Sequence, residues 1–202
     1  MSIKWDQSRA WQAIANAAPT MLGPSWRVAI VKNTPIDFHT LSRWENGLSN
    51  PGANRMLPRL ELIGRLMTQH ISDFERAFLA AARTIAENGT VGDLDGPEAF
   101  DSLAKMSEIV FGPCWQKPLS EYLRANHGVS VSHSSFSIWK SERKSRRRLL
   151  KVIEALIPEF DERLRFMERA NLTFGKEVAD MSEDFPISRS VKLIRNPSAL
   201  AA

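Results

Sequence analysis

Residues 22–26 read Leu-Gly-Pro-Ser-Trp, and residues 111–115 read Phe-Gly-Pro-Cys-Trp. These two Gly-Pro corners lie 89 residues apart, and the same offset pairs further apolar residues before and after them, whereas an offset of 95 pairs residues farther along. The pairs are Trp11 and Phe100, Ile14 and Leu103, Ile30 and Leu119, Leu41 and Phe136, and Trp44 and Trp139. Two copies are fewer than a repeat array needs to bury a continuous core. The sequence therefore predicts a duplicated small domain.

Apolar residues recur with helical spacing along most of the chain, and no segment before residue 172 alternates as a strand would. The predicted helices cover residues 6–18, 24–32, 37–46, 55–68, 71–87, 97–110, 115–126, 132–141, 145–157 and 159–171. Asp37, Ser72 and Ser132 are the N-cap candidates, because their side chains can accept from the first backbone amides of a helix. We therefore expect an all-α fold.

The duplication and a break in composition predict the domain limits. Residues 88–96 are rich in glycine and acidic residues, which is typical of a linker. We expect a first domain over residues 1–87 and a second over 97–171. Residues 172–202 carry an acidic patch and then a basic segment, and we expect a tail, an arm or a dimerisation strand.

Charge and cysteine content limit the class of partner and the cellular location that the sequence predicts. The formal net charge is +4, and the stretch from Lys140 to Lys151 carries seven lysines and arginines against a single glutamate, which favours a polyanionic partner. The single cysteine, Cys114, excludes an intrachain disulfide. Without a secretory signal pattern or a long apolar run, the sequence predicts no membrane association and a reducing, cytoplasmic location.

The sharpest local motif follows Asp37. Residues 41–51 read Leu-Ser-Arg-Trp-Glu-Asn-Gly-Leu-Ser-Asn-Pro. Leu41 and Trp44 are three residues apart and share the buried face of a helix, so the opposite face points outward. The residues expected on the outward face are His39, Thr40, Arg43 and Asn46.

This motif resembles the recognition-helix region of the Cro/lambda-repressor (XRE) class of helix-turn-helix regulators. The family pattern falls on Leu41, Ser42, Trp44, Glu45, Gly47 and Pro51, and the resemblance covers about residues 22–68. It implies that the helix carrying Arg43 enters the major groove of DNA. Arg43 is the best single candidate for base contact, since bidentate contact of arginine with guanine is the commonest specific one.

The second copy resembles a looser helix-turn-helix at about residues 112–157. Its buried register falls on Phe136 and Trp139, and its outward candidates are small donors, acceptors and cations. The predicted DNA-binding residues of this copy are Ser132, His133, Ser135, Lys140, Arg143, Lys144, Arg146, Arg147 and Arg148. We expect the arginines and lysines of the basic run to clamp phosphates, the alternative being a merely solvated helix face.

Enzyme chemistry has little support in the sequence. The four histidines, at positions 39, 70, 127 and 133, show no metal-ligand spacing with one another or with Cys114. No glycine-rich phosphate loop follows a strand. We therefore expect no catalytic residue, no metal and no cofactor.

These observations predict a transcriptional regulator that binds double-stranded DNA in a sequence-specific manner with two helix-turn-helix modules, alone or as a homodimer. Because the outward residues differ between the copies, the expected DNA site is asymmetric. One alternative is an adaptor in which one module binds DNA and the other a protein partner. Another is a nucleoid or RNA-binding protein that uses the basic run without sequence readout.

Overall fold

Helices form all the regular secondary structure in the part of the chain that the computed structural model describes, residues 5–49, 51–88, 96–141 and 146–185. The all-α prediction is thereby confirmed. In chain order the helices are α1 (Gln7–Leu22), α2 (Trp26–Asn33), α3 (Phe38–Glu45), α4 (Ala53–Asn88), α5 (Gly96–Phe111), α6 (Gln116–His127), α7 (His133–Ser141) and α8 (Arg146–Asp184).

Side-chain caps fix where α3 and α7 begin. Asp37 accepts a hydrogen bond from the Thr40 backbone N at 2.6 Å, so it caps α3. The bonds from Thr40 also hold the pKa of the Asp37 carboxyl below its ordinary value. Ser132 Oγ accepts from Ser135 N at 3.3 Å at the start of α7. These two N-cap predictions are confirmed.

The predicted helix breaks near residue 70 and at Pro158 are wrong. Ser72, an N-cap candidate, lies inside the 36-residue helix α4, and Pro158 lies inside the 39-residue helix α8. A proline removes one helical hydrogen bond, but Leu156 and Phe160 on either side of it are buried. Burial of a continuous apolar face stabilises both helices beyond their local stop signals.

Residues 172–184 also differ from the expected tail, because they continue α8. Phe174 and Met181 from this stretch are buried in the core formed by α1 to α4. Between them, Glu177 accepts a hydrogen bond from Arg9 Nε of α1 at 3.0 Å. The rest of the predicted tail, residues 186–202, and most of the predicted linker lie outside the described residues. The domain limits themselves stay predictions.

The long helices α4 and α8 each contribute to two apolar cores. The N-terminal core contains buried residues of α1 to α4 together with Phe174 and Met181 of α8. The C-terminal core contains buried residues of α5 to α8 together with Phe74, Ala77 and Ala81 of α4. We call this arrangement the long-helix exchange. It means that each half of the chain completes the core of the other.

The two Gly-Pro corners, just before α2 and α6, pack against each other. Gly23 has φ +75° and Gly112 has φ +87°, both in the region that favours glycine. A Cβ added to Gly23 would lie 2.2 Å from the backbone oxygen of Ile109, and one added to Gly112 would lie 3.3 Å from Pro24 Cγ. The first half therefore meets the second half corner to corner.

Candidate nucleic-acid interface

The helix pair α2 and α3 is joined by the segment 34–37, which is held by its own hydrogen bonds. Thr34 N donates to the Ile30 carbonyl at 2.9 Å, and Ile36 N donates to Thr34 Oγ1 at 3.3 Å. Ile36 is buried beneath the segment. These contacts show how the chain turns after Pro35 and aims α3 away from α2.

Helix α3 has the two faces that its sequence predicts. Leu41 and Trp44 are buried in the N-terminal core, while His39, Arg43 and Asn46 are exposed. Thr40 is half-buried, since it lies nearer the edge of the buried face than predicted. One side of α3 is therefore anchored, and the opposite side is available to a partner.

Two of the predicted DNA-binding residues on α3 already bond to their own chain. Arg43 Nη2 donates to the Leu48 carbonyl at 3.3 Å, and Asn46 Nδ2 donates to the Ser42 carbonyl at 2.8 Å. Both bonds are exposed and would exchange readily for bonds to a ligand. The His39 imidazole donates no hydrogen bond to its own chain within the described residues, although the residue lies close enough to Asp37 to help lower the pKa of that carboxyl.

Two arginines that were not predicted from the sequence contact side chains of α3. Arg27 of α2 forms an ion pair with Glu45 at 2.5 Å, and Glu45 is the one acidic residue of α3. The Arg59 guanidinium of α4 lies 5.5 Å from the Trp44 ring centroid, over its face. Their position on the helices directly before and after the motif is the feature of the sequence that could have indicated them. The pair with Arg27 leaves α3 without an unpaired carboxylate.

In the second helix pair, α7 is anchored as α3 is. Phe136 and Trp139 are buried, as predicted, and their rings pack edge to face 5.2 Å apart. Ser120 Oγ of α6 donates to the Val131 carbonyl, which ties the connection between the helices to α6. The connecting segment follows Gly128, which ends α6 with φ +62°.

The predicted outward residues of α7 fall into two groups. His133 is exposed at the first residue of the helix. Ser132 and Ser135 bond to each other through their hydroxyls at 2.8 Å, and Ser135 is half-buried, so both serve the start of the helix. Ile138, the counterpart of Arg43 at the 95-residue offset, is 47% exposed.

The basic run is only partly described. Arg148 is exposed near the start of α8. The backbones of Lys140, Arg146 and Arg147 lie in α7 and α8, but their side chains are outside the described part, and Arg143 and Lys144 lie in the undescribed connection between the two helices. The phosphate-clamp prediction therefore stays a prediction.

Among the described residues, no group of three or more histidine, cysteine, aspartate or glutamate side chains could hold a metal ion. No helix in that part has both the length and the apolar composition that crossing a bilayer requires.

Comparison of the chain with protein-family models, with curated protein sequences and with solved structures finds no match. The resemblance to the Cro/lambda-repressor class therefore depends on the motif residues of the chain itself.

Proposed function

We propose that the chain is a sequence-specific regulator of transcription that binds double-stranded DNA with two helix-turn-helix modules, α2 with α3 and α6 with α7. The observation that carries the proposal is helix α3. Buried Leu41 and Trp44 anchor it, its exposed face carries His39, Arg43 and Asn46, and Arg27 neutralises Glu45. A narrow polar helix face without free negative charge suits the major groove of DNA.

Corresponding contacts in the two halves support the duplication. The ring centroids of Trp11 and Trp26 lie 5.9 Å apart, and those of their partners at the 89-residue offset, Phe100 and Trp115, lie 6.1 Å apart. An offset of 93 residues pairs buried positions along α4 with buried positions along α8. These pairs are Met56 and Leu149, Leu60 and Ile153, Ile63 and Leu156, Met67 and Phe160, Phe74 and Met167, and Ala81 and Phe174.

The corner-to-corner contact supports a pseudo-dimeric arrangement. In a two-fold dimer the same surface patch of both subunits meets itself. Here the Gly23-Pro24 corner meets Gly112, its counterpart at the 89-residue offset, and also Ile109 at the end of α5. We infer that one chain presents α3 and α7 as a dimeric repressor presents its two recognition helices, to adjacent major-groove segments roughly 34 Å apart.

The first test replaces Arg43 by alanine. We expect binding to the preferred DNA sequence to weaken roughly 10- to 100-fold, because a bidentate arginine contact to guanine is lost, while binding to random duplex changes little. Fluorescence anisotropy with both duplexes at one salt concentration measures this. Arg65→Ala is the matched control, since Arg65 is an exposed arginine on α4 in the groove with α8. Equal losses of affinity on both duplexes would contradict base readout by α3.

The second test replaces Arg146, Arg147 and Arg148 together by glutamine. We expect weaker binding to every duplex and a shallower dependence of affinity on salt, by roughly one unit of slope for each phosphate contact removed. The control variant replaces Arg165, Arg169 and Lys176, three exposed cations farther along α8, so the change in net charge is the same. An unchanged slope in the first variant, or the same change in both, contradicts the clamp.

An adaptor role for the second module is the other candidate. The observation that favours this role is that Ile138 is exposed on α7, at the position that Arg43 occupies on α3. Apolar surface in that place favours a protein partner over base edges. Selection of bound sequences from random DNA distinguishes the candidates, since two reading modules give a long asymmetric site and one module gives a short site.

A further inference from the structure

Phe38 is the most exposed aromatic side chain in the described part of the chain. It is the first residue of α3, directly after the N-cap Asp37, and 51% of its surface is exposed. It is not a buried member of either core and pairs with no aromatic ring or arginine in the described part, whereas the next most exposed aromatic, Phe166 on α8, is covered by the Arg169 guanidinium at 5.1 Å. Half of a large apolar ring is therefore open to solvent at the start of α3.

The two ends of α3 differ in the hydrogen bonds that their side chains donate to their own chain. The side chains of Arg43 and Asn46, at its other end, donate to carbonyls of their own chain. Phe38 and His39 are both exposed in the first turn of the helix, and the His39 imidazole donates no such bond among the described residues. In helix-turn-helix proteins the first residues of the recognition helix contact the base edges.

The chemistry of the major groove identifies the partner of an apolar ring at this position. Base edges there present hydrogen-bond donors and acceptors, together with one apolar group, the C5-methyl of thymine. We propose that Phe38 contacts the C5-methyl group of a thymine and thereby selects that base in the half-site of the first module. This inference rests on the proposed function.

The contact is confined to one half-site. At the 95-residue offset that pairs α3 with α7, the counterpart of Phe38 is His133, which is exposed at the start of α7. Imidazole donates and accepts hydrogen bonds and so suits polar base edges and phosphates. The thymine contact therefore contributes to the asymmetry of the DNA site.

The experiment removes a single methyl group from the DNA. A preferred duplex is first selected from random sequence with the full chain. Each thymine is then replaced in turn by deoxyuridine, which keeps every hydrogen-bonding group and lacks only the methyl. We expect one position at which this replacement weakens binding by the wild-type chain roughly four-fold, the effect of burying one methyl group. Anisotropy at a fixed salt concentration measures it.

Variants of the protein assign the methyl contact to a residue. In Phe38→Ala the same deoxyuridine replacement should cause no further loss, because the two changes remove one contact. In the control Phe166→Ala the four-fold loss should persist. Phe38 is exposed, so the melting temperature of Phe38→Ala should equal that of the wild type.

The other outcomes overturn the inference and separate it from the proposed function. A clear consensus site at which no thymine is sensitive to deoxyuridine overturns the role of Phe38 and leaves sequence-specific binding standing. Sensitivity that persists in Phe38→Ala also overturns it. If no consensus sequence emerges from the selection, the proposed function fails as well. If Phe38→Ala leaves binding to the preferred duplex unchanged, the inference is overturned in the same way.

Discussion

Replacement of Phe174 by alanine is expected to lower the free energy of unfolding by about 3–5 kcal/mol, the usual cost of deleting a buried phenylalanine side chain. Phe174 is only 3% exposed and lies in the N-terminal core, although it belongs to α8. Its ring reaches α4 at Gly64, where an added Cβ would lie 3.2 Å from ring atom Cε1. Neighbouring helices cannot collapse fully into the space that the ring leaves. Chemical denaturation of the full chain measures the loss.

Leu172→Ala is the matched control for Phe174→Ala. Leu172 lies two residues earlier on the same helix and is 74% exposed, so its truncation should change stability by less than about 0.5 kcal/mol. The pair of variants separates a packed helix from a tail. If Phe174→Ala were as mild as Leu172→Ala, residues 172–184 would not pack on the N-terminal core in solution.

Replacement of Gly23 by alanine is expected to cost about 3–5 kcal/mol, through backbone strain and overpacking together. Gly23 has φ +75° and ψ −169°, a conformation that is essentially restricted to glycine. The added methyl group would also lie 2.2 Å from the backbone oxygen of Ile109, which no side-chain rotation can move away. The two Gly-Pro corners would have to separate. A lower melting temperature and denaturation midpoint report the change.

Gly47→Ala is the control for this substitution. Gly47 also has a positive φ, +65°, but an added Cβ would have no neighbour within 4 Å. Its replacement should cost about 1–2 kcal/mol, from strain alone. Equal losses in Gly23→Ala and Gly47→Ala would mean that the two corners do not touch in solution.

The short helices and their buried faces follow from local sequence. Leu41 and Trp44 repeat with helical spacing, and Asp37 supplies the cap in front of them, so position and orientation of α3 could both be predicted. The same holds for Phe136 and Trp139 on α7. Interactions within one or two turns decide such features, and a single sequence contains them.

The long helices could not be predicted in the same way. Ser72 has the chemistry of an N-cap, and Pro158 that of a helix end, yet both lie inside helices. Tertiary burial of residues such as Phe74 and Phe160, whose rings meet at 5.9 Å, outweighs those local signals. Phe174 was missed for the same reason, because its partners are more than 100 residues away in the sequence.

The candidate site was predicted in its location and less well in its detail. The exposed positions of His39 and Arg43 follow from the helical period, whereas the half-buried positions of Thr40 and Ser135 depend on neighbouring elements. The pairing of Arg27 with Glu45 joins two helices, so no periodicity on one helix indicates it. Phe38 was overlooked because an apolar residue in a helical pattern is ordinarily assigned to the core.

The long-helix exchange limits the motion of one half of the chain relative to the other. Since α4 and α8 each run through both cores, the first and second modules cannot swing on the segment between them as domains on a flexible tether would. For the DNA binding proposed above, the distance and the twist between the two contacted segments are then set by the protein. One extra base pair between them would rotate one segment by roughly 35° about the DNA axis. Such a chain would measure the spacing of its site as strictly as it reads the bases.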